Sequence, residues 1–361
     1  MKIYRWAEPS LGIEEKEAVD KALDSTWIGG NGPLVKEFEK ELCNRIGCQY
    51  AIAVNNGTSA LLTALIALKE EYGILKVAVP TFTFIATANT VKLLSNKMIF
   101  IDPDRKTWNM PLDQSSDDFN VIMPVDIGGL PCDYDTIQDP LLMVLEDAAE
   151  AMGAEYKDRK IGNISDITIF SFHSAKVMTT GEGGAITTNR KEFYESMKSI
   201  VNQGYGKKEH PWDYEHPVFG LNFRMAELQA AMGLAQLNKL ERFLRHRELL
   251  ARTYREELSS YGEFQEIPKD VRHSNFLFGI LVDPKKRDRL CEELVKNGVE
   301  VKVTFKPCHL QGAFSSYSDL NLPNSEYLYK RIISLPIHNC LTLEDIKEIV
   351  SRFKKSWNTV V

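Results

Sequence analysis

One lysine in this sequence lies where an amine could act as a nucleophile. Lys176 follows the apolar segment 167–172 and precedes the glycine-rich turn 181–184. Such a turn lets the backbone approach a ligand closely and holds the side chain at a rigid site. A free lysine has a pKa of about 10.4, so Schiff-base chemistry requires desolvation or nearby positive charge. On this segment alone, a surface lysine in a polar turn is the simpler interpretation.

A carboxylate ends another apolar segment. Asp147 closes the segment 142–147 and precedes Lys176 by 29 residues. A carboxylate at this point could keep the nitrogen of a pyridine ring protonated, which makes such a ring an effective electron sink. Asp147 is also followed by Ala-Ala-Glu, a pattern typical of a helix N-cap. The segment alone favours the cap.

A third segment has the composition of a phosphate-binding turn. Residues 55–59 lead from the apolar run 50–54 into a helical pattern and contain Gly57, Thr58 and Ser59. The first N–H groups and the positive dipole end of a helix bind phosphate, and the two hydroxyls would add hydrogen bonds. A simple capping turn is a common alternative.

An aromatic pair completes the set of candidate residues. Phe82 and Phe84 follow the apolar run 76–80, so one ring could stack on a planar cofactor, although phenylalanine usually packs in a core. Each of the four signals has a simpler explanation when taken alone. Together they provide an amine, a carboxylate, a phosphate cradle and an aromatic plate. This combination indicates pyridoxal 5′-phosphate as the cofactor.

A parallel sheet would bring these residues together. From residue 50 onwards, short apolar runs alternate with helical patterns, which is typical of an α/β protein with helices on both faces of a parallel sheet. Ligands bind such sheets at the carboxyl ends of the strands, where Asp147 would lie. The predicted strands are 50–54, 76–80, 97–102, 121–125, 142–147, 167–172 and 184–189.

The rest of the chain predicts a second lobe. Residues 224–260 are helical and charged, and this pattern is long enough to connect two lobes. Residues 274–361 alternate between strand-like and helix-like patterns. We therefore predict a large cofactor domain with an N-terminal arm over residues 1–240 and a small α+β domain over residues 241–361.

The composition is that of an ordinary soluble globular protein. The 361 residues include 50 acidic and 44 basic side chains, and the net charge of −6 does not favour a nucleic-acid partner. The six cysteines form no CxxC pair and no histidine pair has ligand spacing, so neither a disulfide framework nor a metal is expected. The sequence shows neither a secretory signal nor an apolar run of membrane length, which favours a cytoplasmic protein without membrane contact.

Several motifs resemble those of the DegT/StrS family of nucleotide-sugar aminotransferases, whose fold is that of aspartate aminotransferase (fold type I). The resemblance covers nearly the whole chain, and its most specific motifs are LEDAAEAMGAEYKDRKIG at 145–162 and FSFHSAKVMTTGEGGAITTN at 170–189. It implies an α/β transferase that depends on pyridoxal phosphate, with a mostly parallel sheet flanked by helices in the large domain and a smaller C-terminal α+β domain.

The resemblance also implies a role for each matching residue. Lys176 would form the Schiff base with the cofactor and later move a proton between its C4′ atom and the sugar carbon. Asp147 would bind the pyridine nitrogen, and Glu150, where relatives often have Gln or His, would lie beside the 3′-hydroxyl. Phe84 would stack on the ring, and Thr58, Ser59 and Ser171 would hold the phosphate. The full cofactor-binding set is Gly57, Thr58, Ser59, Phe84, Asp147, Glu150, Ser171, Lys176 and Asn222.

Other matching residues imply a homodimer with shared active sites. Asn222 resembles an asparagine that reaches the phosphate of the neighbouring subunit. The turn that contains Gly29 and Gly30 is expected near the partner's active site. His309 occupies a position at which relatives place residues near the sugar. Gly29, Gly30 and His309 are therefore expected to contact the substrate.

The chain departs from the family pattern in places. Residues 72–76 differ from the Gly-Asp-Glu-Val segment that is common in relatives, and Asp126 stands where many have His. Family members that have become dehydratases replace the lysine with histidine. Lys176 is present, which favours transamination.

The implied reaction has two stages. L-Glutamate would convert the cofactor to pyridoxamine phosphate, which would then aminate a keto sugar linked to a nucleotide. Residues 179–184 are similar to those of 4-amino-sugar formers such as perosamine synthase, so a 4-keto-6-deoxyhexose is expected. The alternatives are a dehydratase or lyase that uses the same cofactor and a degenerate regulator without activity.

Overall fold

The computed structural model describes residues 2–94, 96–114, 118–206, 210 and 212–360. Seven strands form the central sheet, namely β1 (Tyr50–Val54), β2 (Lys76–Pro80), β3 (Lys97–Ile101), β4 (Val121–Ile122), β5 (Met143–Asp147), β8 (Ile167–Ser171) and β9 (Gly184–Thr188). Their order in space is β1-β9-β8-β5-β4-β2-β3, and only β9 runs against the others. The fold is α/β with a mostly parallel sheet, as predicted.

Helices cover the sheet and extend into the second lobe. They are α1 (Ile13–Asp24), α2 (Pro33–Ile46), α3 (Gly57–Tyr72), α4 (Ala86–Leu93), α5 (Lys191–Val201), α6 (Glu227–Leu258), α7 (Arg287–Lys296), α8 (Pro323–Arg331) and α9 (Leu343–Val360). The central strands β5 and β9 are buried throughout, as expected for strands with helices on both faces. Among the described residues, no helix is both long enough and apolar enough to cross a bilayer.

The remaining strands form two small sheets. They are β6 (Glu155–Tyr156), β7 (Arg159–Lys160), β10 (Glu263–Phe264), β11 (Val271–Arg272), β12 (Phe278–Leu281) and β13 (Ile332–Leu335). The antiparallel sheet β10-β12-β13 belongs to the C-terminal lobe, and β11-β6-β7 forms the other. The apolar core of the C-terminal lobe also includes Tyr4 from the N-terminal segment.

Helix α6 connects the two lobes without a break over 32 residues. Leu237 and Phe243 pack in the core of the large lobe, whereas Leu250 and Tyr254 pack in that of the C-terminal lobe. The boundary predicted between residues 240 and 241 therefore falls within a continuous helix.

One predicted strand is much shorter in the structure. The sequence predicts a full strand over residues 121–125, but regular pairing ends at Ile122, and Val125 forms only an isolated bridge to Asp147. Pro124 lies between them and has no N–H group for the ladder. The other predicted strands of the sheet are present to within a residue or two.

Candidate active site

The carboxyl ends of the parallel strands open onto a cavity of about 630 Å³. Asp147 is the last residue of β5 and Ser171 is the last residue of β8. The first turn of α3 and the loop after β2 reach the same cavity, and residues of the C-terminal lobe close its other side. This is the edge at which open α/β sheets bind ligands.

Lys176 lies in the loop between the antiparallel strands β8 and β9 and is largely buried. Its Nζ atom is 3.7 Å from Glu150 Oε1 and 4.2 Å from the centre of the Phe276 ring. Its backbone N–H donates to the carbonyl of His173 at 2.9 Å. The amine is thus held between a carboxylate and an aromatic face, at a rigid point on the cavity wall.

Asp147 is buried, and its carboxylate accepts two hydrogen bonds. Thr87 Oγ1 donates to Oδ2 at 2.8 Å, and the N–H of Ala149 donates to Oδ1 at 3.2 Å. Burial raises the pKa of Asp147, and the hydrogen bond from Thr87 opposes this shift because it stabilises the ionised form. The chain after Asp147 forms turns and then enters β6, so no helix begins at Asp147 within the described residues. The N-cap alternative is therefore wrong.

Glu150 is the second buried carboxylate of the cavity. Its Oε2 accepts the N–H of Gly128 at 2.8 Å, and its backbone carbonyl accepts the Ser274 hydroxyl at 2.7 Å. Burial raises the pKa of Glu150, and the nearby positive charge of Lys176 lowers it. Two carboxylates and one amine therefore face the same space.

The phosphate candidates lie at the start of α3. The Asn56 side chain caps this helix by accepting the N–H of Ser59 at 2.8 Å. A Cβ atom on Gly57 would lie 3.0 Å from Ser171 Cβ, which is closer than most contacts allow. Glycine at this position therefore lets the end of β8 pack against the start of α3. Thr58 is exposed and Ser59 is buried.

The structure separates the two phenylalanines of the loop after β2. Phe82 is fully buried, whereas 59% of Phe84 is exposed. Phe84 lines the cavity and meets Phe305 edge-on at 6.3 Å. Phe84 is therefore the ring that is available for stacking, and Phe82 belongs to the core.

Four predicted residues lie outside this cavity. Gly29 and Asn222 are exposed, and Gly30 packs against Arg224, where an added Cβ would lie 2.6 Å from the arginine Cβ. His309 is fully buried, with Nδ1 2.7 Å from Thr81 Oγ1. It supports the loop that carries Phe84 and does not line the cavity.

Asp126, at which the sequence departs from the pattern it resembles, does not line the cavity. It is fully buried beside Glu146, and the Tyr134 hydroxyl contacts Asp126 Oδ1 at 2.9 Å and Glu146 Oε1 at 2.7 Å. Burial and the neighbouring charge of Glu146 hold the pKa of Asp126 well above its usual range. Asp126 therefore belongs to a buried polar network under β5.

Sequence reasoning missed several residues of the cavity. Thr87 follows Phe84 by three residues in a threonine-rich stretch, which is the one sequence signal that could have indicated it. Phe276 and Lys302 come from the C-terminal lobe, and Trp6 comes from the N-terminal segment. No spacing along the chain indicates that these three line the same cavity as Lys176.

Residues 9–354 match the profile of the DegT/DnrJ/EryC1/StrS aminotransferase family. The chain belongs to this family. It is 36% identical to the GDP-perosamine synthase of Escherichia coli O157:H7, and the alignment covers 96% of each chain. It is 35% identical to the UDP-4-amino-4,6-dideoxy-N-acetyl-beta-L-altrosamine transaminase of Campylobacter jejuni serotype O:23/36, over 95% of this chain and 94% of the relative.

Solved structures of sugar aminotransferases have the same fold. The Helicobacter pylori PseC aminotransferase superposes with a TM-score of 0.93 at 30% identity, over 99% of this chain and 100% of the other. The Streptococcus pneumoniae Spr1654 protein, a putative sugar aminotransferase solved in its PLP form, gives a TM-score of 0.90 at 25% identity, over 99% and 100% of the two chains. Spr1654 has also been solved in its PMP form. The chain is therefore a sugar aminotransferase that depends on pyridoxal phosphate.

The cavity suits that cofactor. It provides an amine, a buried carboxylate fixed by two donors, a helix start in which glycine allows close approach, and an exposed aromatic ring. These are the groups that a phosphorylated pyridine aldehyde requires.

Proposed function

We propose that this chain aminates a 4-keto-6-deoxyhexose linked to a nucleotide, with L-glutamate as the amino donor. The observation that carries the proposal is the convergence of Lys176, Asp147 and Glu150 on one cavity at the carboxyl ends of the strands. The names of the relatives in E. coli and C. jejuni, a GDP-perosamine synthase and a UDP-amino-sugar transaminase, support a nucleotide-sugar substrate.

The surroundings of each cavity residue indicate its role in the reaction. Pyridoxal phosphate, when bound, supplies an aldehyde and an electron sink. The ionised Asp147 would hold the ring nitrogen protonated, and Glu150 would lie beside the ring hydroxyl. The Nζ atom of Lys176 would bind the aldehyde carbon and afterwards carry a proton at the reacting carbon. The buried side chains of Phe276 and Leu61 would help to exclude water from this chemistry.

We further propose that the active unit is a homodimer. Gly30 packs against Arg224, two residues from Asn222, and the turn with Gly29 and the segment with Asn222 both lie outside the chain's own cavity. Large apolar side chains are exposed next to them along the chain, including Ile28 at 54% beside Gly29 and Phe219 at 63% near Asn222. Exposed patches of this kind mark interaction surfaces. A second copy on this face would bring Asn222 to the partner's phosphate site, and we expect this assembly to work in the cytoplasm.

Absorbance spectroscopy and product analysis test the reaction. The purified enzyme with pyridoxal phosphate should show the band of the lysine-bound cofactor, and Lys176→Ala should lose both the band and glutamate-dependent amination. Lys306→Ala, an exposed lysine outside the cavity, is the matched control.

The products separate the possible activities. A screen of keto sugars on several nucleotides should give an amino sugar together with 2-oxoglutarate. A deoxy sugar without net amination would show that the enzyme catalyses dehydration and not amino transfer. Failure of the wild-type protein to bind the cofactor would support a regulatory protein.

A further inference from the structure

One wall of the active-site cavity is built from two segments that pair with each other. Tyr4 forms a parallel bridge with Val299, and the N–H of Glu300 donates to the Tyr4 carbonyl at 3.0 Å. The N–H of Trp6 donates to Glu300 Oε2 at 3.1 Å. The N-terminal segment is thus fixed to the C-terminal lobe, and both contribute side chains to the cavity.

Trp6 places a hydrogen-bond donor in this wall. Its ring meets the Phe276 ring edge-on, at 6.2 Å and 88°, and Phe276 in turn faces the Lys176 amine. The indole Nε1 atom is buried, and in the described part of the chain it has no acceptor. A buried donor without an acceptor carries an uncompensated desolvation cost, so a bound molecule that accepts this hydrogen bond would remove that cost.

Lys302 places a cation in the same wall. Two backbone hydrogen bonds with Ser334, at 3.1 and 2.8 Å, fix its main chain, and the hydroxyls of Thr304 and Ser334 are 2.5 Å apart beside it. Lys176 pairs with Glu150. Over residues 2–94, 96–114, 118–206, 210 and 212–360, no carboxylate forms an ion pair with Lys302.

The remaining charges of the cavity explain why these two donors matter. Asp147, Glu150 and Glu182 are all acidic. An amino-acid donor brings at least one further carboxylate close to the amine that reacts, and a buried carboxylate must be paired or hydrogen-bonded. Lys176 is needed for the chemistry, so the charge must be met elsewhere.

We propose that the indole N–H of Trp6 and the ammonium of Lys302 together bind a carboxylate of the amino donor. This inference rests on the proposed transamination with L-glutamate. The wall would act in the first half of the reaction, when the amino acid donates its nitrogen. The two residues would set donor specificity, because an amine without a carboxylate would leave both donors unpaired.

Binding and half-reaction measurements on the loaded enzyme test this inference. Glutarate, a dicarboxylate without an amine, is titrated by calorimetry into the wild type, Trp6→Phe and Lys302→Met. A hydrogen bond to a charged group contributes enough to raise the dissociation constant about tenfold in each variant. Single-turnover absorbance with L-glutamate should show a similar rise in half-saturation, whereas the KM for the nucleotide sugar should stay within about twofold.

Two matched control variants remove the same kinds of side chain outside the cavity wall. Lys306→Met removes an exposed lysine four residues along the chain, and Trp357→Phe removes an indole elsewhere in the C-terminal lobe. Both should bind glutarate as the wild type does. Phenylalanine at position 6 keeps the aromatic contact with Phe276, so loss of folding is not expected.

Each other outcome has a definite meaning. Equal glutarate affinity in the wild type and both variants, or no glutarate binding at all, would overturn the inference. A raised KM for the nucleotide sugar with unchanged glutarate binding would indicate that the wall binds the phosphates of the nucleotide sugar. That result would also overturn the inference. Absence of amination by the wild type would instead reject the proposed function, since that result does not depend on either variant.

Discussion

The hydroxyl of Thr87 donates a hydrogen bond of 2.8 Å to the Oδ2 atom of Asp147. Thr87 lies in the first turn of α4, and Asp147 ends β5, so the contact joins a helix and a strand that are about 60 residues apart in the large lobe. Both side chains are buried. The hydroxyl stabilises the carboxylate in its ionised form, which is the form that would keep a ring nitrogen protonated.

Replacement of Thr87 by valine should shift the acid side of the activity profile. The pKa of Asp147 is raised by burial and lowered by Thr87, so it rises further in Thr87→Val and the carboxylate becomes protonated at higher pH. We expect amination to be roughly tenfold slower at low pH and nearly normal at high pH. Single-turnover rates measured across pH test this.

Thr90→Val is the control for this prediction. Thr90 is equally buried on the same helix but donates to the Thr87 carbonyl, at 2.9 Å. Its pH profile should match the wild type. The same displacement in both variants would attribute the effect to α4 packing and contradict a specific role for Thr87.

The sequence predicts the residues that follow the strands better than those that approach from elsewhere. Asp147 and Ser171 end strands of the central sheet, and Gly57 begins the helix that follows another of its strands. The parallel order of the strands brings such positions to a common edge of the sheet. Local patterns therefore indicated that they meet. Their individual roles stay predictions that the experiments above test.

The rest of the site depends on packing between lobes. Phe276 reaches Lys176, and Trp6 reaches Phe276, only because the C-terminal lobe and the N-terminal segment pack over the sheet. No periodicity along the chain encodes these contacts. His309 shows the reverse case. Its position in the chain suggested the substrate, but the fold buries it under the loop that carries Phe84.

Loss of the Arg247 side chain should destabilise the junction of the lobes. Arg247 is 1% exposed. Its guanidinium donates to the carbonyls of Asn275, Phe276 and Ile337 at 3.0–3.3 Å and to Asn339 Oδ1 at 3.0 Å. Arg247→Met would leave these buried acceptors without a donor. We expect the free energy of unfolding to fall by about 3 kcal/mol or more.

Urea unfolding measures this loss, and Arg252→Met on the same helix is the comparison. Arg252 is exposed and pairs with Glu256 at 3.9 Å, so its removal should change stability by less than about 0.5 kcal/mol. Equal losses in the two variants would contradict the importance of the buried contacts.

Removal of the Glu227 carboxylate should loosen the turn that carries Gly29 and Gly30. Its two oxygens accept the N–H groups of Leu34 and Val35, both at 2.9 Å. These amides open α2 and have no partner within the helix. Glu227→Ala should lower the free energy of unfolding by about 1–3 kcal/mol.

The same variant should weaken association of two copies, because Gly30 lies on the proposed dimer face. Sedimentation at several protein concentrations measures this, and Glu37→Ala, on the exposed side of α2, should behave as the wild type. A variant that loses stability but keeps the wild-type dimerisation constant would separate the turn from the interface.

Two buried histidines should make the fold sensitive to mild acid. Burial lowers the pKa of His273 to about 3 and the pKa of His338 to about 4, whereas an unfolded histidine titrates near pH 6.5. Below that pH the unfolded chain binds protons that the folded chain does not, so stability falls as the pH drops. The fall continues to about pH 4 for His338 and about pH 3 for His273, at up to about 1.4 kcal/mol per pH unit for each group.

Urea unfolding between pH 7.5 and 5 should show this slope, and His273→Asn should reduce it, since asparagine does not titrate. The exposed His210→Asn should leave it unchanged, and a slope that is the same in His273→Asn as in the wild type would contradict the assignment.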